Sequence, residues 1–304
     1  MTLQQQIRSN RVRTLLVLLG FGLLSGVFVA VVFYAYQPGV AGIIGIVAIV
    51  YGVISWFAAG SIIAAASGAH KVTKEDQPEV YRVLENVAIA AGLPRTPDLY
   101  MIDDSAPNAF AAGRDPEHAY VAVTSGIVKL MDRRELEGVL AHEVSHIRNR
   151  DVRLMSLAAV LVGVIALSAD LLMRITIFGG GSSERRDGGL GGLAVVIGLV
   201  AAVLAPIGAS LLQMCLSRRR EYLADASAVE ITGDAEGLAR ALAALRDDTQ
   251  ALHTVTRATA HLYIESPLRD HKGLRSSLGG LFDTHPPLED RIARLEQLGG
   301  FTLS

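Results

Sequence analysis

Leu140-Ala141-His142-Glu143-Val144-Ser145-His146 is the stretch on which the reading of this chain turns. It carries the pattern H-E-x-x-H where Leu136, Val139, Leu140, Val144 and Ile147 recur at helical spacing, which predicts an amphipathic helix from about Arg133 to Asn149. Asp132 caps that helix, with Glu135 in capping-box position. Residues four apart on a helix share one face, one turn above the other. His142 and His146 can therefore present two imidazoles to one metal ion, and Glu143 sits beside that face, close enough to handle a water there. This is the zinc-hydrolase arrangement. The same letters also fit a surface helix that happens to carry two histidines and a glutamate, so the remainder of the chain must discriminate.

Composition points to a membrane. Of 304 residues, 51% are hydrophobic and 19% charged, against about a quarter charged in an ordinary soluble domain. Mean hydropathy is +0.38, and the apolar excess comes in blocks. The net charge of -2 gives no argument for nucleic acid as a partner. The single cysteine, Cys215, excludes an intrachain disulfide and argues against a cysteine metal site. At the end of an apolar run it reads as a small buried hydrophobe.

Residues 1–13 are polar and basic, and 14–36 form an almost unbroken apolar run. It is too long for a signal-peptide core of about 7–15 residues, and no small-residue cleavage site follows, so it reads as a first transmembrane helix. Gln37-Pro38 breaks the pattern before a second run at 39–66, giving a tight helical hairpin. Residues 152–178 and 193–216 are the third and fourth runs, separated by a Gly-rich loop at 179–192. Asp170 and Arg174, four apart near the end of the third run, read as an interfacial ion pair. The soluble parts are 67–151 and 217–304.

In the first soluble part, a helix starts at Lys74-Glu75-Asp76-Gln77-Pro78, with Val80, Val83, Leu84, Val87 and Ala90 on its apolar face, and ends at Gly92-Leu93-Pro94. Leu99–Ile102, Asn108–Ala112 and Tyr120–Thr124 are candidate strands, and Gly126–Met131 a short helix. The second part opens with Ser217-Arg218-Arg219-Arg220-Glu221-Tyr222-Leu223-Ala224-Asp225. An amphipathic helix follows at Asp234–Asp247, and His285-Pro286-Pro287 opens a last one at Leu288–Leu298. Four spans place both termini and both soluble parts on one side. Arg8, Arg11, Arg13, Lys71, Lys74, Arg148, Arg150, Arg153, Arg218, Arg219 and Arg220 lie near the spans there, against Arg174, Arg185 and Arg186 opposite. The positive-inside rule makes that side cytoplasmic, in a multi-pass cell-membrane protein.

A catalytic zinc site has three protein ligands plus a water, so a third ligand must come from elsewhere. His70, His118, His253, His261 and His271 sit singly in polar surroundings and read as solvated histidines. Glu221 and Asp225, four apart, stack two carboxylates on one helix face. One could bind metal while the other accepts the free N–H of a ligating imidazole. Glu221 equally fits an ion pair with Arg218 or Arg220, and spacing alone leaves the choice open.

Together, His142-Glu143-Val144-Ser145-His146-Ile147-Arg148-Asn149-Arg150-Asp151 between a membrane hairpin and a third span, and Arg219-Arg220-Glu221-Tyr222-Leu223-Ala224-Asp225 after a fourth, closely resemble the HtpX heat-shock membrane metalloproteases. These are relatives of the integral-membrane zinc proteases that clip CAAX proteins. The resemblance covers nearly the whole chain. It implies a mainly α membrane protein, with four transmembrane helices and a cytoplasmic α+β zincin-like (gluzincin) catalytic domain holding a short edge-stranded sheet. It implies one zinc ion per chain, with Glu221 as third ligand beside His142 and His146, and Asp225 as partner of a ligating histidine. Asn108-Ala109-Phe110-Ala111 would be the edge strand that aligns substrate by strand addition, with Asn108 near the substrate. His285, in Thr284-His285-Pro286-Pro287, matches a histidine that stabilises the oxyanion, and Arg291 falls in the same block. The implied role is quality control of misfolded membrane proteins.

The expected reaction is peptide-bond hydrolysis with Glu143 as the base. One alternative is a membrane sensor or scaffold with a structural zinc site, but such a site needs no base. Transport is another, but the spans lack the several polar residues a pathway needs. His146 lies six residues before Val152 and Glu221 five after Leu216. At about 1.5 Å per helical residue the metal sits on the order of 10 Å from the bilayer surface if the helices continue. Membrane-anchored chains should then be cut faster than the same sequence made soluble. Equal rates for the two forms, compared in proteoliposomes, would count against this placement.

Overall fold

The computed structural model describes residues 57–157, 218–248, 262–264 and 286–303, with isolated positions before 57 and Gln250. Most of the four apolar runs, the Gly-rich loop, Asp170, Arg174, Cys215, His253, His261, His271 and His285 lie outside the described residues. Among the described residues no helix is long and apolar enough to cross a membrane.

The elements in chain order are β1 (His70–Val72), α1 (Pro78–Ala90), β2 (Asp98–Ile102), β3 (Ala109–Gly113), β4 (Ala119–Thr124), α2 (Ser125–Leu130), α3 (Arg133–Arg148), α4 (Arg218–Thr232), α5 (Ala235–Asp247) and α6 (Leu288–Gly299). Residues 57–66 and 151–157 are also helical. Each predicted helix and strand of the soluble parts is present within one or two residues. On α1, Pro78 occupies the first turn, where its missing N–H costs nothing. Gly92, at φ 69°, adopts the left-handed conformation just past the helix end. Ala88 is buried in place of the expected Ala90, because it continues the row of Val80 and Leu84. Asp132 and Glu135 form a reciprocal capping box at the start of α3.

The sheet runs β1-β2-β4-β3, with β2 and β4 parallel and both outer pairs antiparallel. β4 is inserted between β2 and β3, so β3 becomes an edge. Asn108 anchors it: its N–H donates to Thr124 Oγ1 and its carbonyl accepts the Thr124 N–H. Side chains alternate cleanly across the sheet. Leu99, Met101, Ala109, Ala111, Val121 and Val123 enter one core with the helices, whereas Ile102, Phe110, Ala112, Tyr120 and Ala122 enter a second. The second core is closed by Ile63 and Ala64 from 57–66, by Leu154 and Met155 from 151–157, and by Leu262 and Tyr263. Burial on both faces explains why these strands read as continuous apolar runs. The Tyr120 hydroxyl donates to the Gly60 carbonyl at 2.9 Å, tying the sheet to residues that end the second apolar run.

Helix α3 lies on the first face, packed between α4, α5, α1 and β3. Its approach to α5 is close: a Cβ on Gly138 would stand 2.8 Å from Leu238 Cα and 2.9 Å from its backbone nitrogen. Backbone cannot yield as a side-chain tip can. Gly138→Ala should therefore destabilise the protein by about 1–3 kcal/mol. Thermal unfolding in detergent checks this, and an unchanged midpoint would contradict so close a crossing.

Candidate metal centre

Helix α3 contributes His142, Glu143 and His146, all at most 3% exposed, and α4 contributes Glu221 and Asp225, each 4% exposed. Burial follows from the packing of α3 against α4 and β3, which leaves the polar face of the motif no route to solvent on those sides. The two Nε2 atoms of His142 and His146 lie 3.3 Å apart. Glu221 places Oε2 3.7 Å from His142 Nε2 and Oε1 3.8 Å from His146 Nε2. Tetrahedral zinc with bonds of about 2.0–2.1 Å separates its ligand atoms by about 3.4 Å. The observed separations fit one ion shared by the three side chains, and among the described residues these three form the group able to hold a metal.

The opposite edges of both rings are braced. His142 Nδ1 lies 2.9 Å from Asp225 Oδ1, and His146 Nδ1 lies 3.2 Å from Asp151 Oδ2. A carboxylate accepting the Nδ1–H fixes the tautomer that leaves Nε2 free to ligate. Asp225 is itself clamped by Arg291, through Nε at 2.9 Å to Oδ2 and Nη2 at 2.6 Å to Oδ1. Arg291 has no exposed surface, and its Nη2 is also 3.3 Å from His142 Nδ1.

These contacts set the charges. Burial and the Arg291 charge oppose a proton on His142, but its hydrogen bonds to Asp225 and Glu221 outweigh them and hold its pKa at about 9. This imidazole gives up a proton when it becomes a ligand. Burial alone would raise Asp225, yet the Arg291 charge and the His142 hydrogen bond bring it down to about 2. Burial pushes Arg291 down as well, and the Asp225 carboxylate more than offsets it, leaving Arg291 raised.

The structure thus brings His142, His146, Glu221 and Asp225 together. Asn108 is buried at the head of β3, where its Oδ1 accepts the Ala109 N–H. Ala109, Phe110 and Ala111 form the buried edge strand beside α3. Asp151 and the clamp made by Arg291 were not read from the sequence. Asp151 is five residues after His146, off the helical face. Arg150 at φ 60° turns the chain through the left-handed region and carries Asp151 back to the ring. A positive φ at a residue other than glycine leaves no mark in the sequence. Arg291 had only its place near Pro286-Pro287 to single it out.

Comparison with known proteins agrees with this geometry. The model of peptidase family M48 matches residues 74–298. The protease HtpX homologue of Ligilactobacillus salivarius is 41% identical over 303 residues, covering 97% of this chain and 100% of the relative. That of Lactobacillus helveticus is 42% identical over 304 residues, with 97% and 100% covered. That of Tropheryma whipplei strain Twist is 40% identical over 300 residues, with 96% and 97% covered.

Removing one member of a buried ion pair strands the other. Arg291→Met should cost about 3–5 kcal/mol of stability. The depressed Asp225 pKa contributes stability that is full above its unfolded value of about 3.9 and is lost as pH falls through about 2. In Arg291→Met, with that depression relieved, the folded and unfolded pKa values of Asp225 draw together, so the fall in stability between about pH 4 and pH 2 should flatten. Unfolding free energies measured from pH 2 to 7 check both expectations.

Proposed function

The chain belongs to peptidase family M48 and, within it, to the HtpX proteases, and from that premise we propose that it is an integral-membrane, zinc-dependent endopeptidase that cuts misfolded or damaged membrane proteins from the cytoplasmic side. The observation that carries this reading is the convergence of His142, His146 and Glu221 ligand atoms within 4.8 Å of one another, with Glu143 buried on the same helix. A structural site would need the first three and not the fourth.

Zinc held by His142, His146 and Glu221 would polarise the scissile carbonyl and bring the pKa of a water towards about 7. Glu143 takes the proton of the attacking water and delivers it to the leaving amine. Asp225 and Asp151 accept the Nδ1–H of the two rings and keep Nε2 aimed inward. Arg291 holds Asp225 in place. Asn108, Ala109, Phe110 and Ala111 offer the edge along which substrate backbone pairs. His285, with Asn108, would stabilise the developing oxyanion; this stays with the family resemblance, since His285 lies outside the described residues.

Membrane integration is supported by where apolar surface is left open. Among the described residues, nine of the twelve exposed large hydrophobic side chains fall between Val12 and Ile62. They include Leu15, Leu16 and Leu19 in the first apolar run, and Val53, Ile54 and Phe57 in the second. Patches of this kind mark contact with lipid or another protein. On this reading residues 14–36, 39–66, 152–178 and 193–216 are the spans, and the two soluble parts assemble one catalytic domain.

Glu143→Gln should retain about one zinc per chain and lose casein cleavage by about 10²–10⁴-fold. His142→Ala should lose both metal and activity. Metal analysis and proteolysis of the detergent-purified protein decide the matter, and full activity in Glu143→Gln would overturn the assignment.

A further inference from the structure

The edge strand is already partly in use by this chain. In an antiparallel pair, outward- and inward-facing peptide groups alternate. The Asn108 carbonyl accepts the Thr124 N–H, so the N–H and C=O groups of 108, 110 and 112 face β4, and those of Ala109, Ala111 and Gly113 face outward. An added strand would pair with that row, in which the Ala109 N–H is turned to Asn108 Oδ1 and the Gly113 N–H donates to Ser156 Oγ, both at 3.0 Å. The Ala109 carbonyl accepts the Ile264 N–H at 2.9 Å. The Ile264 carbonyl in turn accepts from Arg291 Nη1 at 3.2 Å, and the Tyr263 ring packs edge-on to Phe110 with centroids 4.9 Å apart. Leu262, Tyr263 and Ile264 are at most 2% exposed.

Two features separate this from an ordinary fifth strand. Among the described residues, Ile264 to Ala109 is the one backbone hydrogen bond joining the segment to β3. The carbonyl of the same residue is held by the guanidinium that clamps Asp225 against His142. The segment therefore lies along the edge and reaches to within one side chain of a proposed metal ligand.

We propose that Leu262-Tyr263-Ile264 is a built-in competitor, seated on the β3 edge in place of a substrate strand and displaced when substrate pairs with Ala109. This rests on the metallopeptidase reading above. The segment blocks the Ala109 acceptor, occupies one Arg291 donor and fills the space beside Phe110. A substrate must supply an N–H for Ala109 to gain the same edge, which favours extended, unfolded chain over folded surface. The enzyme at rest is thereby held below its full activity.

The test compares Glu143-dependent cleavage of a quenched fluorescent peptide by the zinc-loaded full chain and by Ile264→Pro, which lacks the N–H given to Ala109. Loss of one such bond should raise kcat/KM by about 2–10-fold, chiefly through a lower KM. An unchanged or lower kcat/KM in a folded Ile264→Pro overturns the proposal. Because proline at a buried position can also prevent folding, amide hydrogen exchange of the unaltered protein is measured with and without a peptide hydroxamate. Faster exchange at Tyr263 and Ile264, together with slower exchange at Ala111, supports displacement. Unchanged or slower exchange at 263–264 with hydroxamate bound shows a fixed wall and overturns the proposal. If instead the hydroxamate does not bind and Glu143→Gln cleaves as well as the unaltered chain, the metallopeptidase reading has failed and takes the competitor with it.

Discussion

The Asp225 carboxylate is the point on which three helices meet. It stands on α4, accepts from His142 of α3, and is held by two nitrogens of Arg291 on α6. These groups come from positions 142, 225 and 291, separated by long stretches of chain. A carboxylate with a pKa of about 2 in so buried a place depends on the Arg291 charge and on the hydrogen bond from His142. The apolar packing of α3 against α4 and α5 brings the helices together, but it does not fix rotation about their axes. The charge-assisted bonds do, because a carboxylate paired through both oxygens tolerates little change of angle.

That constraint also explains the layering. The motif helix must have one flank against α4, to meet Glu221 and Asp225, and another against β3, the edge strand proposed to pair with substrate. Gly138 lets α5 come close enough behind α3 to hold it in that position. Asp151 completes the arrangement from the other end of α3, reaching His146 after the chain reverses at Arg150. Each proposed histidine ligand thus has its own carboxylate, one brought by a distant helix and one by the turn that ends its own.

Much of this was legible in residue order. The motif helix, its capping box and the pair Glu221 and Asp225 depend on spacings of three and four, which a helix repeats faithfully. The strands at Leu99, Phe110 and Val121 were legible as apolar runs, but their order was not, since pairing partners are set by tertiary contact. β1, three residues with only Val72 buried, has no period to detect; it exists because its backbone pairs with β2 and Lys71 meets Asp98 at 2.8 Å. Asp151 depends on a left-handed Arg150, and Arg291 on a contact spanning 149 positions of chain to His142. Neither follows a local rule. The seating of Ile264 on Ala109 is likewise a long-range backbone contact, to which side-chain pattern is blind.

The two-sided burial of the sheet bears on whether the catalytic part can exist alone. A domain is separable when few contacts cross its boundary. Here the face made by Ile102, Phe110, Ala112, Tyr120 and Ala122 is covered by Ile63, Ala64, Leu154 and Met155, residues at the inner ends of two apolar runs. A fragment trimmed at 67 and 151 to make a soluble enzyme would lose that cover, keep only Leu262 and Tyr263 over the face, and expose much of its aromatic and aliphatic surface to water. The ends of these two apolar runs are therefore part of the walls of the domain, and a minimal soluble version has to begin by designing a replacement for that face.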